Sequence, residues 1–281
     1  MRVSRVNKFI RVGAALLSIG LIISGCRIVH ESEDPASKKP TPQGQQQYAG
    51  GKQQETKTNL NPLLKQEEFD KVKKYERNHI IYNGPKDKKQ VALTFDDGPD
   101  PRYTKQVLEI LKQNDIKATF FLIGQHVKQH PDLVKQEIDE GHTIASHSWE
   151  HKQLPKLSPD QLKEDLNKTR DAIKEASGKE VMLMRPPYGD AKGIGETIKK
   201  EGFLIVNWDV DTNDWRGRTP EQMFEVIQKF TGNGSIILHH DGGGNRSNTV
   251  SSLNKTIQTL KSKGFEFVTV DQMLGIRPYA N

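Results

Sequence analysis

VALTFDDGPD, residues 91–100, opens as an apolar run and ends in two adjacent carboxylates, Asp96 and Asp97, ahead of a Gly98-Pro99 turn. A short apolar run bounded by such a turn signal reads as a buried strand. Two like charges side by side at its mouth are costly unless something nearby favours negative charge. The sharp Gly-Pro turn is expected to let both carboxylates reach one cleft, although neighbours on a strand otherwise point to opposite faces. The pair has either one job or two, and the rest of the chain decides which.

Six further runs share this texture: ATFFLIG (118–124), HTIAS (142–146), VMLM (181–184), FLIVNW (203–208), SIILH (235–239) and FEFVTV (265–270). Between several of them lie amphipathic stretches, YTKQVLEILKQND, SPDQLKEDLNKTRDAIKEAS, PEQMFEVIQKF and TVSSLNKTIQTLKSK. Strand-helix alternation at this spacing predicts an α/β fold of parallel strands with helices outside. The number of units favours a distorted (β/α) barrel of seven to eight strands over a doubly wound open sheet. Either architecture collects its chemistry at the C-terminal ends of the strands.

Polar clusters stand at those ends. VALTF is followed by Asp96-Asp97, HTIAS by His147-Ser148-Trp149-Glu150-His151, and VMLM by Arg185-Pro186-Pro187-Tyr188-Gly189. FLIVNW leads to Asp209-Val210-Asp211-Thr212-Asn213-Asp214-Trp215, and SIIL to His239-His240-Asp241. His147 and His151 are spaced to face one ion if the segment turns helically, and Asp97 offers a third ligand. Two histidines and a carboxylate leave positions open for water and substrate. His126 and His130 repeat that spacing in QHVKQHP, but no carboxylate pair accompanies them and Pro131 restricts His130. They read as a solvated helix face. DVDTNDW resembles a calcium loop only at its start, since Asp214 and Pro220 stand where Gly and Glu are required. DGGGN (241–245) lacks a phosphate-loop pattern and reads as a turn that keeps bulk away from a cleft.

The first 26 residues, MRVSRVNKFIRVGAALLSIGLIISGC, have a basic start and then an apolar run of about a dozen residues. That is a secretory signal peptide, shorter than a membrane span. Ile23-Ser24-Gly25-Cys26 resembles the bacterial lipobox, so residues 1–25 are expected to be removed and Cys26 lipidated. An ordinary signal peptide or an uncleaved anchor is the alternative. Cys26 is the chain's single cysteine, so no internal disulfide is available and stability rests on the core or a metal. The formal charge is +6, but residues 1–25 hold four basic and no acidic residues, which leaves 38 against 36, or +2, from Cys26 onward. That balance and export both argue against nucleic-acid binding.

Residues 26–78 read as a lipidated linker rich in Gln, Lys, Pro, Gly and Thr, with a short helix within LLKQEEFDKVKKYE (63–76). Some 40 extended residues span on the order of 130 Å, enough to carry an anchored domain, residues 79–281, into a wall polymer.

TFDDGP, HSWEH, RPPYG, DTNDW and LHHD, in this order, resemble the five motifs of the polysaccharide deacetylases (carbohydrate esterase family four, the NodB-homology domain) over about residues 88–275. The resemblance implies removal of acetyl groups from N-acetylglucosamine or N-acetylmuramic acid units of peptidoglycan, or from chitin-like glycans, by cleavage of a carbon–nitrogen bond. It implies one divalent metal, zinc first, with Co2+, Mn2+ or Ni2+ as alternatives, held by Asp97, His147 and His151. Asp96 would be the general base and Arg185 would orient it. The Tyr188 N–H would serve the oxyanion. His240 would be the general acid, with Asp214 orienting it. Pro187, Trp215 and Leu238 would line the acetyl pocket. His239 stands where the family often has an apolar residue, and strand alternation is expected to turn it away from the cleft. The reading predicts a monomeric, extracytoplasmic enzyme anchored to the cell membrane through Cys26. The alternatives are an O-acetyl esterase on the same scaffold and a catalytically silent, metal-stabilised glycan-binding lipoprotein. Both Asp96 and His240 are present, which disfavours the silent reading.

Overall fold

In the computed structural model, which describes residues 62–280, ten strands run in chain order as β1 (Glu76–Arg77), β2 (Ile80–Ile81), β3 (Gln90–Gly98), β4 (Thr119–Leu122), β5 (Thr143–Ser146), β6 (Leu183–Met184), β7 (Leu204–Val206), β8 (Val210–Asp211), β9 (Ser235–His240) and β10 (Glu266–Phe267). The helices are α1 (Pro62–Val72), α2 (Tyr103–Gln113), α3 (Gly124–Gln129), α4 (Pro131–Asp139), α5 (Pro159–Ser177), α6 (Gly195–Lys200), α7 (Pro220–Phe230), α8 (Ser247–Ser262) and α9 (Val270–Leu274). The expected signal segment and lipidated Cys26, and the expected linker as far as residue 61, fall outside the described residues. No helix among the described residues is long and apolar enough to cross a membrane.

β3 lies inside one sheet of order β2-β7-β6-β5-β4-β3-β9-β8, parallel at every step. β1 adds an antiparallel end strand, and β10 pairs with the start of β3. No ladder joins β8 back to β2 among the described strands, so the α/β fold is a distorted, incompletely closed (β/α) barrel. The closing strands β2 and β8 are two residues each.

The two faces separate by the strand period of two. Val91, Leu93 and Phe95 join Phe120, Leu122, Ile144, Ile205 and Ile237 in the larger core, with buried residues of α2, α5 and α8. Ala92 faces the other way, into a second core with Phe121, Ala145, Leu183, Leu204, Val206 and Ile236. Thr94 and Asp96 follow Ala92 on that inner face and lead to the site.

Two of the outer helices start where the sequence supplies caps. SPDQ and TPEQ each place Ser158 or Thr219 before a proline and a glutamine, and both form complete capping boxes at α5 and α7. Gly178, at φ 71°, ends α5.

One expectation needs correcting. α1 belongs to the packed body and not to a linker ending at residue 78. Its Phe69 and Val72 are buried in the inner core with Val270, Met273 and Ile276. Its buried Glu68 accepts hydrogen bonds from the Arg277 backbone N–H (2.9 Å) and Nε (3.2 Å), tying the segment to the other end of the domain.

Candidate active site and metal centre

The bend that brings the two aspartates together lies at Asp97 itself. On the paired strand, Asp96 faces Phe121 and Gly98 faces Leu122, so Asp97 is the extra residue of a bulge. Its φ of 74° is left-handed and turns its side chain to the Asp96 side. Gly98 still pairs within β3, so the Gly-Pro turn expected to do this work comes one residue too late. Two glycines of DGGGN make room. A Cβ on Gly242 would lie 2.2 Å from the Asp97 carbonyl oxygen, and one on Gly243 would lie 2.4 Å from Asp97 Oδ2. These glycines keep bulk off the carboxylate as much as out of the cleft.

His147 and His151 reach Asp97 without any helix. Their segment is a loop in which Ser148 (φ 67°) and His151 (φ 59°) are left-handed, and the His151 N–H donates to Ser148 Oγ (3.0 Å). This corrects the helical-turn expectation. The Nε2 atoms stand 3.5 Å and 3.4 Å from Asp97 Oδ1. Their ligand atoms and the carboxylate oxygen all lie within 4.8 Å of one another. His147 Nδ1 sits 2.7 Å from the Arg185 carbonyl oxygen. A carbonyl only accepts, so Nδ1 carries hydrogen and Nε2 is directed at the cluster.

A cation fits this set. Asp97 Oδ1 is buried and has no hydrogen-bond donor, an arrangement that leaves a charged oxygen uncompensated. Burial alone would raise the Asp97 carboxyl, but the neighbouring imidazoles, His147 first and then His240 and His151, hold it well below the ordinary range. Burial opposes a charge on His147, and Asp96 and Asp97 outweigh it and raise the ring. Burial and the His147 charge lower His151. The cluster therefore attracts one positive charge, and a divalent ion meets the same demand with ligands of suitable type.

Asp96 is held from the opposite side. Arg185, fully buried at 0% exposure, donates from Nη1 to Asp96 Oδ1 (2.7 Å) and Thr94 Oγ1 (2.9 Å). Its Nε and Nη2 donate to the carbonyls of Val206 and Asn207, both at 3.0 Å, and its guanidinium lies 4.0 Å over the Phe121 ring. Every nitrogen of the cation donates a hydrogen bond, as a buried charge requires. Asp96 Oδ2 is left on the cleft side, 3.8 Å from His147 Nε2.

Across the cleft, β9 alternates as β3 does. Thr94 pairs with Leu238, Phe95 with His239 and Asp96 with His240. His239 thus turns to the outer core and stacks on Phe95 at 5.4 Å, while His240 faces the cleft. His240 Nδ1 and Asp214 Oδ1 are 2.7 Å apart, and the His240 backbone N–H donates to Asp214 Oδ2, also at 2.7 Å. The Thr249 hydroxyl (2.8 Å) and the Trp215 N–H (2.9 Å) complete the carboxylate's partners. Burial opposes charge on His240, yet the bond to Asp214 and its charge push the ring up to about 9. Burial would raise Asp214, but His240 holds it at about 2.

A cleft of about 310 Å³ joins these parts, lined by Asp96, Asp97, His147, His151, Tyr188, Trp208, Asp211, Trp215, Leu238 and His240. Tyr188 is left-handed at φ 62°, and its ring meets that of His151 edge-on at 4.8 Å. Tyr188 and Trp215 are 62% and 47% exposed, so two aromatic faces rim the opening. Pro187 is buried in the turn and is not among the lining residues, contrary to expectation. Thr94, Asn207, Trp208 and Thr249 join the site unannounced, and Asp211, known only as one of a strand-end cluster, lines the cleft. Thr94 alone had a legible signal, two residues before Asp96 on the same face. Of the eight left-handed non-glycine residues among those described, Asp97, Ser148, His151, Tyr188 and Asn213 lie in the site. Strained backbone gathers where function holds it. The calcium-like residues are spent locally. Asp209 accepts the Ile236 N–H at 2.9 Å, and Asp211 accepts the Asn213 N–H at 2.8 Å.

An open parallel barrel with a histidine-carboxylate cluster facing a buried His-Asp pair defines a class of hydrolase, and sequence comparison agrees on its family. The polysaccharide deacetylase profile matches residues 83–206. A peptidoglycan-N-acetylglucosamine deacetylase of Bacillus cereus is 38% identical over 209 residues, covering 73% of this chain and 74% of that protein. The peptidoglycan-N-acetylglucosamine deacetylase PgdA of Listeria monocytogenes is 42% identical over 191 residues, covering 68% of this chain. This chain spans only 40% of that relative's length. The solved structure of the Bc1960 peptidoglycan N-acetylglucosamine deacetylase, 36% identical, superposes with a TM-score of 0.70 and covers 75% of this chain and 98% of its own. The chain belongs to the polysaccharide deacetylase family.

Proposed function

We propose that this protein is a metal-dependent deacetylase of peptidoglycan, removing the acetyl group from N-acetylated amino sugars outside the cell. The observation that carries the reading is the buried, donor-free Oδ1 of Asp97 facing two imidazole Nε2 atoms, beside a second carboxylate that Arg185 holds separately. The names of the relatives support the substrate class. Asp97, His147 and His151 would hold the ion, zinc first among the divalent metals. When bound, such an ion supplies Lewis acidity that makes water a nucleophile near neutral pH.

The chain's own groups do the rest. Asp96, fixed through Oδ1, keeps Oδ2 to take the proton of the attacking water. The Tyr188 N–H donates to the developing oxyanion, a contribution typically of about 3–4 kcal/mol per donor. His240, held as a cation by Asp214, gives its proton to the leaving amine. Trp215 and Leu238 border the space for the acetyl methyl. Lipidation at Cys26 and the linker would anchor a monomer to the membrane facing the wall.

The test is acetate release from peptidoglycan, from neutral N-acetylglucosamine oligomers and from O-acetylated glycans, with chelator and with metal restored. Release from N-acetylated substrates that vanishes with chelator and returns with Zn2+ is expected. Faster release from the O-acetylated glycans would replace the amidase reading with an esterase. Glycan binding without release from any of them would make the chain a silent binder.

A further inference from the structure

One histidine set aside on sequence touches the cluster from behind. His126 sits on α3, and its Nδ1 is 2.8 Å from the carbonyl oxygen of Asp97. Only a donor can satisfy a carbonyl, so Nδ1 carries hydrogen there. The expectation of a solvated histidine face on one helix is wrong on two counts. His126 is half-buried, and His130 ends α3 at φ −134°, outside the helix that carries His126.

The same short segment grips both ligand-bearing loops. The Ile123 N–H donates to the Gly98 carbonyl, the Gly124 N–H to that of Ser148 and the Gln125 N–H to that of Trp149, each at 3.0 Å. Gly124 permits the approach, since a Cβ there would lie 2.5 Å from the Trp149 ring. Asp165 on α5 accepts the Trp149 N–H from the far side at 3.0 Å. Residues 123–126 thus join the strand end that carries Asp97 to the loop between His147 and His151. Three of the four bonds are backbone bonds that a side-chain change leaves in place. The fourth belongs to His126, at the one left-handed ligand residue of β3.

We propose that His126 is a positioning residue of the metal centre, holding the bulged Asp97 peptide so that its carboxylate meets both imidazoles. This rests on the metal reading above. Partners that orient ligands from outside the coordination sphere commonly govern metal affinity by about 10–100-fold. Asparagine offers a test of mechanism, because its Nδ2 stands at the same number of bonds from Cβ as the imidazole Nδ1. Glutamine carries the same amide one methylene further out.

The experiment is calorimetric titration of the metal-free full chain with Zn2+, with melting temperature recorded alongside. H126A is expected to weaken Zn2+ binding by about 10–100-fold, H126N to recover most of that loss and H126Q to recover less. H126A that melts lower yet binds Zn2+ like the wild type overturns the inference and leaves His126 a stabilising contact only. Should H126A fail to fold, equal affinities of H126N and H126Q overturn it. A wild-type chain that binds no Zn2+ contradicts the metal reading itself, and this inference with it.

Discussion

The segments HSWEH and QHVKQH carry histidines at the same spacing and put them to different uses. His147 and His151 converge on the Asp97 carboxylate at 3.5 Å and 3.4 Å. His126 instead takes the Asp97 carbonyl, and His130 closes a helix before Pro131. The difference is made by backbone. Two left-handed residues, Ser148 and His151, fold the first segment back on itself. In the second, proline restricts the residue before it and leaves His130 at the junction between α3 and α4, off the helix that carries His126. A spacing that fits a metal site becomes one only where the local chain delivers both rings to a common acceptor.

The comparison breaks most plainly at the ligands. His151→Ala is expected to lose Zn2+ binding by more than the roughly 100-fold limit of outer partners, read by calorimetry. His147→Ala should do the same and destabilise the buried loop as well.

Arg185 sharpens it, because its carbonyl serves the metal side and its guanidinium the Asp96 side. Arg185→Met should cost about 3–5 kcal/mol in chemical denaturation, since it leaves buried Asp96 unpaired. It should abolish turnover while metal stoichiometry survives. Gly243→Ala tests the space beside Asp97. Its methyl would have to displace Oδ2, and the φ of +69° adds strain of roughly 1–2 kcal/mol. A fall in Zn2+ affinity with a modest loss of stability is expected.

Asp214→Asn acts on the opposite wall. His240 is raised to about 9 by Asp214, so the wild type should lose its general acid only on the alkaline side. The variant's alkaline activity limb should move down toward the ordinary histidine pKa of about 6.5. The stability linked to this pair has a defined window. Raised His240 contributes fully below about 6.5 and loses its part as pH rises through about 9. Depressed Asp214 contributes fully above about 4 and loses its part as pH falls through about 2. The gap in stability between wild type and variant should therefore be widest from about pH 4 to 6.5 and narrow on either side. Smallest of all, His130→Ala should change stability by no more than about 0.5 kcal/mol and leave Zn2+ affinity unchanged.

Much of this was legible in the sequence, for physical reasons. Apolar runs alternating with amphipathic helices specify parallel strands, and side chains of period two put Asp96 and His240 on one face and His239 on the other. The five polar clusters all fall at strand ends. Backbone devices were not legible. The bulge at Asp97 has no side-chain signature beyond small neighbours, and the glycines that accommodate it, Gly242 and Gly243, stand far along the chain in DGGGN. His126 binds a carbonyl, and no pattern of side chains announces a backbone acceptor. Pro187 looked like pocket because its motif neighbours are, but the turn that exposes Tyr188 buries it. β2 and β8 are too short to be seen as strands in isolation; only pairing with β7 and β9 makes them so.

The central claim is that the two adjacent aspartates have separate jobs. It is tested most directly by measuring bound metal and acetate release on the same preparations of wild type, Asp96→Asn and Asp97→Ala. Asp96→Asn should retain one divalent ion per chain and release no acetate from peptidoglycan, while Asp97→Ala should lose both. Turnover in Asp96→Asn, or an ion still held by Asp97→Ala, would contradict the account.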